Sequence, residues 1–178
     1  DWLDFAIHGA DFLLANGRDK LGNWYFSLDR VGSPLIQPYN IFSDCFAAMA
    51  FAQLYKATQQ ELYKTVAIDT FNNILKKKAD PKGVYTKTYP GTRPLQGFSL
   101  PMILCNLVLE MEFLLDPNLV EKTINEGIST VMDVFYQPEL GLILENVTPE
   151  GKFSDSFEGR LVNPGHTLEA MWFIMDLA

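Results

Sequence analysis

Apolar side chains recur at intervals of three and four residues along most of the chain, the spacing that turns one face of a helix toward a core. The first such stretch runs from Asp1 to Ala15, with Leu3, Phe5, Ala6, Phe12 and Leu13 on it, and Asn16-Gly17 reads as its stop. A second runs from an N-cap at Ser43 through Gln59, and its Ala47, Ala48, Ala50 and Ala52 let a neighbouring helix approach closely. Thr58 with Glu61 predicts a capping box for a third, which ends at Lys76-Lys77-Lys78, where cations complement the helix dipole. A fourth is predicted from Leu100 to Leu115. Asp116-Pro117, a cap followed by proline at the first helical position, opens a fifth that runs to Phe135. The sixth starts at Asn163-Pro164 and is still amphipathic at Asp176-Leu177-Ala178.

Two stretches break this spacing. Trp24-Tyr25-Phe26-Ser27-Leu28, the turn Asp29-Arg30-Val31-Gly32 and Pro34-Leu35-Ile36 predict a β-hairpin. Leu142–Val147, turning at Pro149-Glu150-Gly151 into Lys152-Phe153, predicts a second. The segment from Lys82 to Phe98, rich in Gly, Pro and Thr, predicts a loop. Hairpin-then-helix thus occurs near residue 22 and again near residue 141, a weak internal repeat. The expected fold class is all-α, built of antiparallel helix pairs that stack into a solenoid or close into a toroid. Six helices would make half of a twelve-helix toroid. The first helix opens without an evident cap and the last ends without glycine or proline, so both ends read as interruptions of continuing structure.

Composition changes this picture little. With 178 residues, 48% hydrophobic and 20% charged, the chain is expected to be one globular domain over residues 1–178. A net charge of -8 argues against nucleic acid, because no basic face is available to displace counterions from phosphates. Cys45 and Cys105 both lie in apolar helical patterns, which argues against a disulfide framework and for a reducing, cytoplasmic setting. No continuous apolar run of about 20 residues appears, so no membrane span is expected. Asn146-Val147-Thr148 matches the glycosylation sequon, a pattern short enough to recur by chance.

Candidate chemistry is sparse. The two histidines, His8 and His166, are far apart, and no His-Glu-x-x-His pattern, phosphate loop, dinucleotide fingerprint or nucleophile elbow occurs, so no metal is expected. His166 stands out by its setting. Asn163 can cap its helix, Pro164 suits the first position, and the histidine falls in the first turn, where the dipole disfavours imidazolium. Glu169 follows at i+3 on the same face and could hydrogen-bond the ring. A neutral histidine held by a carboxylate suits proton abstraction next to a carbonyl, while a histidine that merely bonds backbone at a helix start fits the same spacing. Asp44, Asp155, Glu158 and Glu169 keep open a carboxylate-pair hydrolase, and Trp24, Tyr25 and Phe26 could stack on a sugar or pack on a core. His8 reads as a packing or surface residue, and both cysteines as small core residues.

Three segments carry a resemblance. Phe42-Ser43-Asp44-Cys45-Phe46-Ala47-Ala48-Met49-Ala50, the hairpin Trp24-Tyr25-Phe26-Ser27-Leu28-Asp29-Arg30, and Gly159-Arg160-Leu161-Val162-Asn163-Pro164-Gly165-His166-Thr167-Leu168-Glu169-Ala170-Met171-Trp172 resemble segments of the N-acyl-D-glucosamine 2-epimerases. The resemblance runs along nearly all of the chain, which is about half the length of such an enzyme. It implies an (α/α)6 barrel, truncated here at both ends, with its site at one open end. It implies interconversion of N-acetylglucosamine and N-acetylmannosamine by proton removal and return at C2, without redox cofactor or metal. His166 would be one acid/base and Glu169 the carboxylate that orients it. Arg160 and Asn163 would contact the sugar, and Asn106 falls on the helix where related epimerases place a polar pocket residue. A nucleotide effector and a homodimer follow from the resemblance only. The family's second histidine, nearer the C-terminus, and an arginine nearer the N-terminus have no match here; His8 does not fit that histidine's motif. An aldose–ketose isomerase, a non-catalytic sugar- or protein-binding member, and a hydrolase on the same toroid are the competing readings.

Overall fold

The computed structural model describes residues 1–177 except 88, 90 and 93. Residue 178 of the last helix and those three positions of the expected loop therefore lie outside the described residues. Two compact units are formed, Asp1–Lys87 and Thr88–Ala178.

The first unit contains α1 (Trp2–Asn16), the antiparallel strands β1 (Ser27–Leu28) and β2 (Pro34–Ile36), α2 (Phe42–Thr58) and α3 (Glu61–Lys77). The predicted hairpin forms, although shorter than expected: Trp24 lies before β1, bridged to Arg18 and buried. Helices α2 and α3 are joined by two residues, and the chain reverses so that α3 packs back along α2. Ala48, Ala52 and Ala67 lie fully buried in this unit, where their short side chains admit Phe51, Phe71 and Ile74.

Three helix ends differ from expectation. Asp1 caps α1, its carboxylate accepting from the Asp4 amide at 3.0 Å. Ser43 is not a cap, because the helix begins at Phe42, two residues earlier than a cap at Ser43 would set, and the Phe42 amide donates to the Asn40 side chain at 3.0 Å. The capping box of Thr58 and Glu61 does not form. Thr58 is still helical, so its hydroxyl donates back to the Leu54 carbonyl at 2.7 Å. Gln59 then ends α2 in the left-handed region, with φ 57°, its amide donating to the Tyr55 carbonyl at 2.7 Å.

The second unit contains β3 (Gln96–Gly97), α4 (Ser99–Met111), α5 (Pro117–Ser129), β4 (Tyr136–Gln137), β5 (Leu142–Ile143), β6 (Asn146–Val147) and α6 (Pro164–Leu177). Helix α4 packs against both α5 and α6. Gly127 allows the close approach of α5: a Cβ there would sit 2.7 Å from Cys105 Sγ. Asp116 caps α5 as expected, accepting from the amides of Asn118 and Leu119 at 2.9 and 3.2 Å. The helix does not run unbroken to Phe135, however, but widens into a π turn over Thr130–Phe135.

The second hairpin is replaced by two pairings. β5 pairs with β4, and β6 pairs with β3, Gln96 opposite Val147 and Gly97 opposite Asn146. The turn at residues 149–151 does form, Thr148 donating to the Lys152 carbonyl at 2.9 Å, but Lys152-Phe153 is not a strand. Consecutive burial explains the split. Ile143 and Leu144 both enter the core with Phe98, Phe135 and Phe173, which one straight strand with alternating faces cannot do. The chain between β5 and β6 is therefore bent, and Glu145 sits in that bend.

Candidate active site

Helix α6 opens as its sequence dictates. The Asn163 side-chain oxygen accepts from the amides of Gly165 and His166 at 3.1 and 3.4 Å, and Pro164 takes the first helical position without needing a donor. Ala170 and Phe173, four and seven residues beyond His166, are buried in the core of this unit. His166 lies on that same face, at the end where the core gives way to solvent, and its side chain is 35% exposed.

The carboxylate at His166 belongs to Glu145. Its two oxygens each lie 3.0 Å from His166 Nδ1, and its side chain is only 11% exposed. The backbone of Glu145 is held on both sides. Its amide donates to the Leu161 carbonyl at 3.1 Å and its carbonyl accepts from the Phe98 amide at 2.9 Å. Next to it, Asn146 donates to the Glu158 carbonyl at 3.0 Å, which ties the loop before α6 to β6 and accounts for the asparagine of the sequon. An ionised carboxylate only accepts, so a neutral ring in this contact would carry its proton on Nδ1 and its lone pair on Nε2. Such a ring can take a proton at Nε2.

Glu169, expected on the ring, is exposed, and Nδ1 is already taken by Glu145. A side chain at i+3 on the outer face of α6 lies beside the histidine, whereas Glu145 reaches it from a bend that the core fixes in place. Arg160 donates to Asp155 at 2.8 Å, an exposed pair. Asn163 has its oxygen engaged as the cap. Asn106 is half-buried on α4 between the buried Cys105 and Leu107.

The remaining candidates lie elsewhere. Asp44 is fully buried, accepting from Lys77 Nζ at 3.0 Å and from the Trp24 amide at 3.4 Å, while Lys77 also donates to Asn23 at 2.9 Å. Burial pushes its carboxyl above the usual value, and Lys77 partly opposes this. It is a structural carboxylate, inaccessible to a glycosidic bond. Trp24 donates from its indole to Thr70 at 3.2 Å and is core, whereas Phe26 is exposed and packs on Tyr39 with ring centres 5.1 Å apart. His8 is exposed on α1. Burial pushes the Cys45 thiol up to about 12 and the Cys105 thiol up to about 11, so neither is a nucleophile near neutrality. Among the described residues no three His, Cys, Asp or Glu side chains gather as a metal site. No helix there is long and apolar enough to cross a membrane.

Glu145 was missed in the sequence. The signal available was an acid following three apolar residues, Leu142-Ile143-Leu144, in a predicted strand, a place where a charge needs a partner.

Comparison with known proteins bears on the whole chain. The family model described as N-acylglucosamine 2-epimerase (GlcNAc 2-epimerase) matches residues 1–178. The N-acylglucosamine 2-epimerase of Rattus norvegicus is 33% identical over 181 residues, covering 99% of this chain and 43% of that protein. The Homo sapiens protein of the same name is 33% identical over 178 residues, covering 97% and 42%. This chain thus spans less than half the length of these relatives. Among solved structures, a sugar epimerase from a ruminal bacterium matches with a TM-score of 0.77 at 17% identity, over 98% of this chain and 48% of the other. A D-mannose isomerase matches with a TM-score of 0.65 at 18% identity, over 99% and 47%. These likenesses show the fold: the chain is mainly helical, has no closed sheet among the described residues, and forms part of an (α/α)6 barrel.

Proposed function

Because this chain belongs to the N-acylglucosamine 2-epimerase family, we propose that the protein containing it interconverts N-acetyl-D-glucosamine and N-acetyl-D-mannosamine, with His166 as one of two proton-transfer groups. The observation that carries the reading is the His166 ring itself, half-buried at the head of α6 with Nδ1 3.0 Å from both oxygens of a carboxylate.

The chemistry follows from the substrate. Opening the sugar ring exposes an aldehyde at C1, which acidifies the C2 proton by delocalising the charge that its removal leaves. His166 takes that proton. A second group, expected from the remainder of the protein, returns a proton to the opposite face and inverts C2. Neither a redox cofactor nor a metal is required by this scheme. A half-buried site lowers the local dielectric and strengthens the contacts made to the developing enolate.

The same reading gives the other sequence candidates their places. Glu169, exposed one turn along α6, would contact the sugar rather than the ring. Arg160 would exchange its exposed partner Asp155 for substrate, since such a pair is worth only about 0–1 kcal/mol. Asn163 would offer its amide donors, and Asn106 would serve the pocket from α4. The two units would be parts of one barrel domain. A cytoplasmic location, a homodimer and a nucleotide effector belong to the same proposal.

The test is exchange of the C2 proton with deuterated water in the full-length protein. His166→Gln is expected to lower exchange at least about a hundredfold, the usual contribution of a positioned acid/base. Undiminished exchange in that variant would rule His166 out as the base. An aldose–ketose isomerase begins with the same proton removal but would accumulate a ketose, which separates the two reactions.

A further inference from the structure

We propose that Glu145 is the positioning residue of this site: it holds His166 as the Nδ1–H tautomer and thereby makes Nε2 the atom that exchanges a proton with substrate. The inference rests on the reading of His166 as an acid/base and names what prepares it.

Three observations converge. First, both Glu145 oxygens lie 3.0 Å from Nδ1, so the ring is held symmetrically by the whole carboxylate. Second, the carboxylate is nearly buried, and among the described residues it has no partner but this imidazole. A charge in that position needs the ring as much as the ring needs it. Third, the carboxylate cannot drift. Leu144 and Val147 on either side are buried, and the Glu145 backbone is bonded to Leu161 and Phe98. Leu161 lies two residues before the Asn163 cap, so the hydrogen bond between Glu145 and Leu161 ties the carboxylate to the start of the helix that carries the histidine.

Glu169 cannot do this work from where it stands, since it is exposed and Nδ1 is occupied. Arg160 does not compete for Glu145, because its guanidinium is on Asp155. The proton inventory is simple. In the resting state Nδ1 bears the proton and Glu145 is ionised. When the C2 proton moves to Nε2, the electron pair of the C–H bond passes into the C1–C2 enolate and the ring becomes imidazolium. The adjacent carboxylate stabilises that cation while staying unprotonated.

Two measurements test the proposal and separate it from the reaction assigned above. In the full-length protein, nitrogen NMR of the imidazoles, with His166→Gln to identify the His166 signals, reads the tautomer directly at a pH where the ring is neutral. His166 is expected to show a protonated Nδ1 and a bare Nε2. Glu145→Gln, whose amide can donate to Nδ1, is expected to shift the ring toward Nε2–H. A wild-type ring protonated at Nε2 overturns the proposal, even if the variant does not fold. In the full-length protein, Glu145→Gln is expected to lower kcat by about a hundredfold to ten-thousandfold with KM little changed, and Glu145→Asp to restore part of it. An unchanged kcat, or a loss confined to KM, counts against a positioning role. Loss of C2 exchange is not needed for the NMR result, so a failed epimerase reading would leave the tautomer measurement standing.

Discussion

Replacing Asn163 by alanine removes the side chain that starts α6 and should loosen His166 without unfolding the helix. The Asn163 oxygen serves the amides of Gly165 and His166 at 3.1 and 3.4 Å. Neither amide has a carbonyl acceptor within the helix, so the substitution leaves two donors to water. Loss of such a cap costs about 0.5–2 kcal/mol, and the second contact is long enough to keep the figure near 1 kcal/mol here. The rest of the helix is retained by Ala170 and Phe173 in the core and by Pro164, which keeps its helical φ. A cost of about 1 kcal/mol corresponds to roughly fivefold more frequent opening of the first turn. Amide hydrogen exchange at Gly165 and His166 is the assay, and fivefold faster exchange in Asn163→Ala is the expected result. Asn163→Asp should return exchange to the wild-type rate, because aspartate caps as well as asparagine. The same pair of variants distinguishes capping from sugar contact in the full-length protein. If the amide donors of Asn163 touch substrate, aspartate restores the helix but not KM. Unchanged exchange in the alanine variant, or no recovery with aspartate, would refute the assignment of this residue as the cap.

Other consequences are as direct. Phe173→Ala, which opens the core between α6 and α4, should cost about 3–5 kcal/mol by chemical denaturation, and a loss below 1 kcal/mol would place Phe173 outside the core. Cys45 and Cys105, with thiols raised to about 12 and about 11 by burial, should resist alkylation at neutral pH until denaturant is added. Asp44 carries a carboxyl raised above its ordinary value of 3.8, so the folded state binds that proton more tightly than the unfolded state does. Its stabilising contribution is present below pH 3.8 and is lost as pH rises through the raised value. The stability of the wild type relative to Asp44→Asn should therefore fall as pH climbs from that region, and a relative stability that rises instead would reverse the sign.

Much of this molecule is determined within a few residues along the chain. Apolar spacing places six helices, Asp116-Pro117 and Asn163-Pro164 begin two of them, and Asn16-Gly17 ends another, because periodicity and capping are local physics. Local chemistry also leaves room for error. Ser43 and Thr58 have the right side chains for caps, yet Asn40 and the Leu54 carbonyl are better placed partners. The candidate site divides in the same way. His166 and its cap lie within four residues and are readable in order. Its carboxylate lies 21 residues away, and the nearer Glu169 satisfies every local rule for the role. Tertiary structure decides between them, because Ile143 and Leu144 must both enter one core, which bends the chain and turns Glu145 to the ring. The Lys77–Asp44 contact, across 33 residues, is of the same kind. Many acids could serve Lys77 or His166 in sequence, and only packing removes the alternatives, since a buried carboxylate is tolerated only where the fold also delivers its partner.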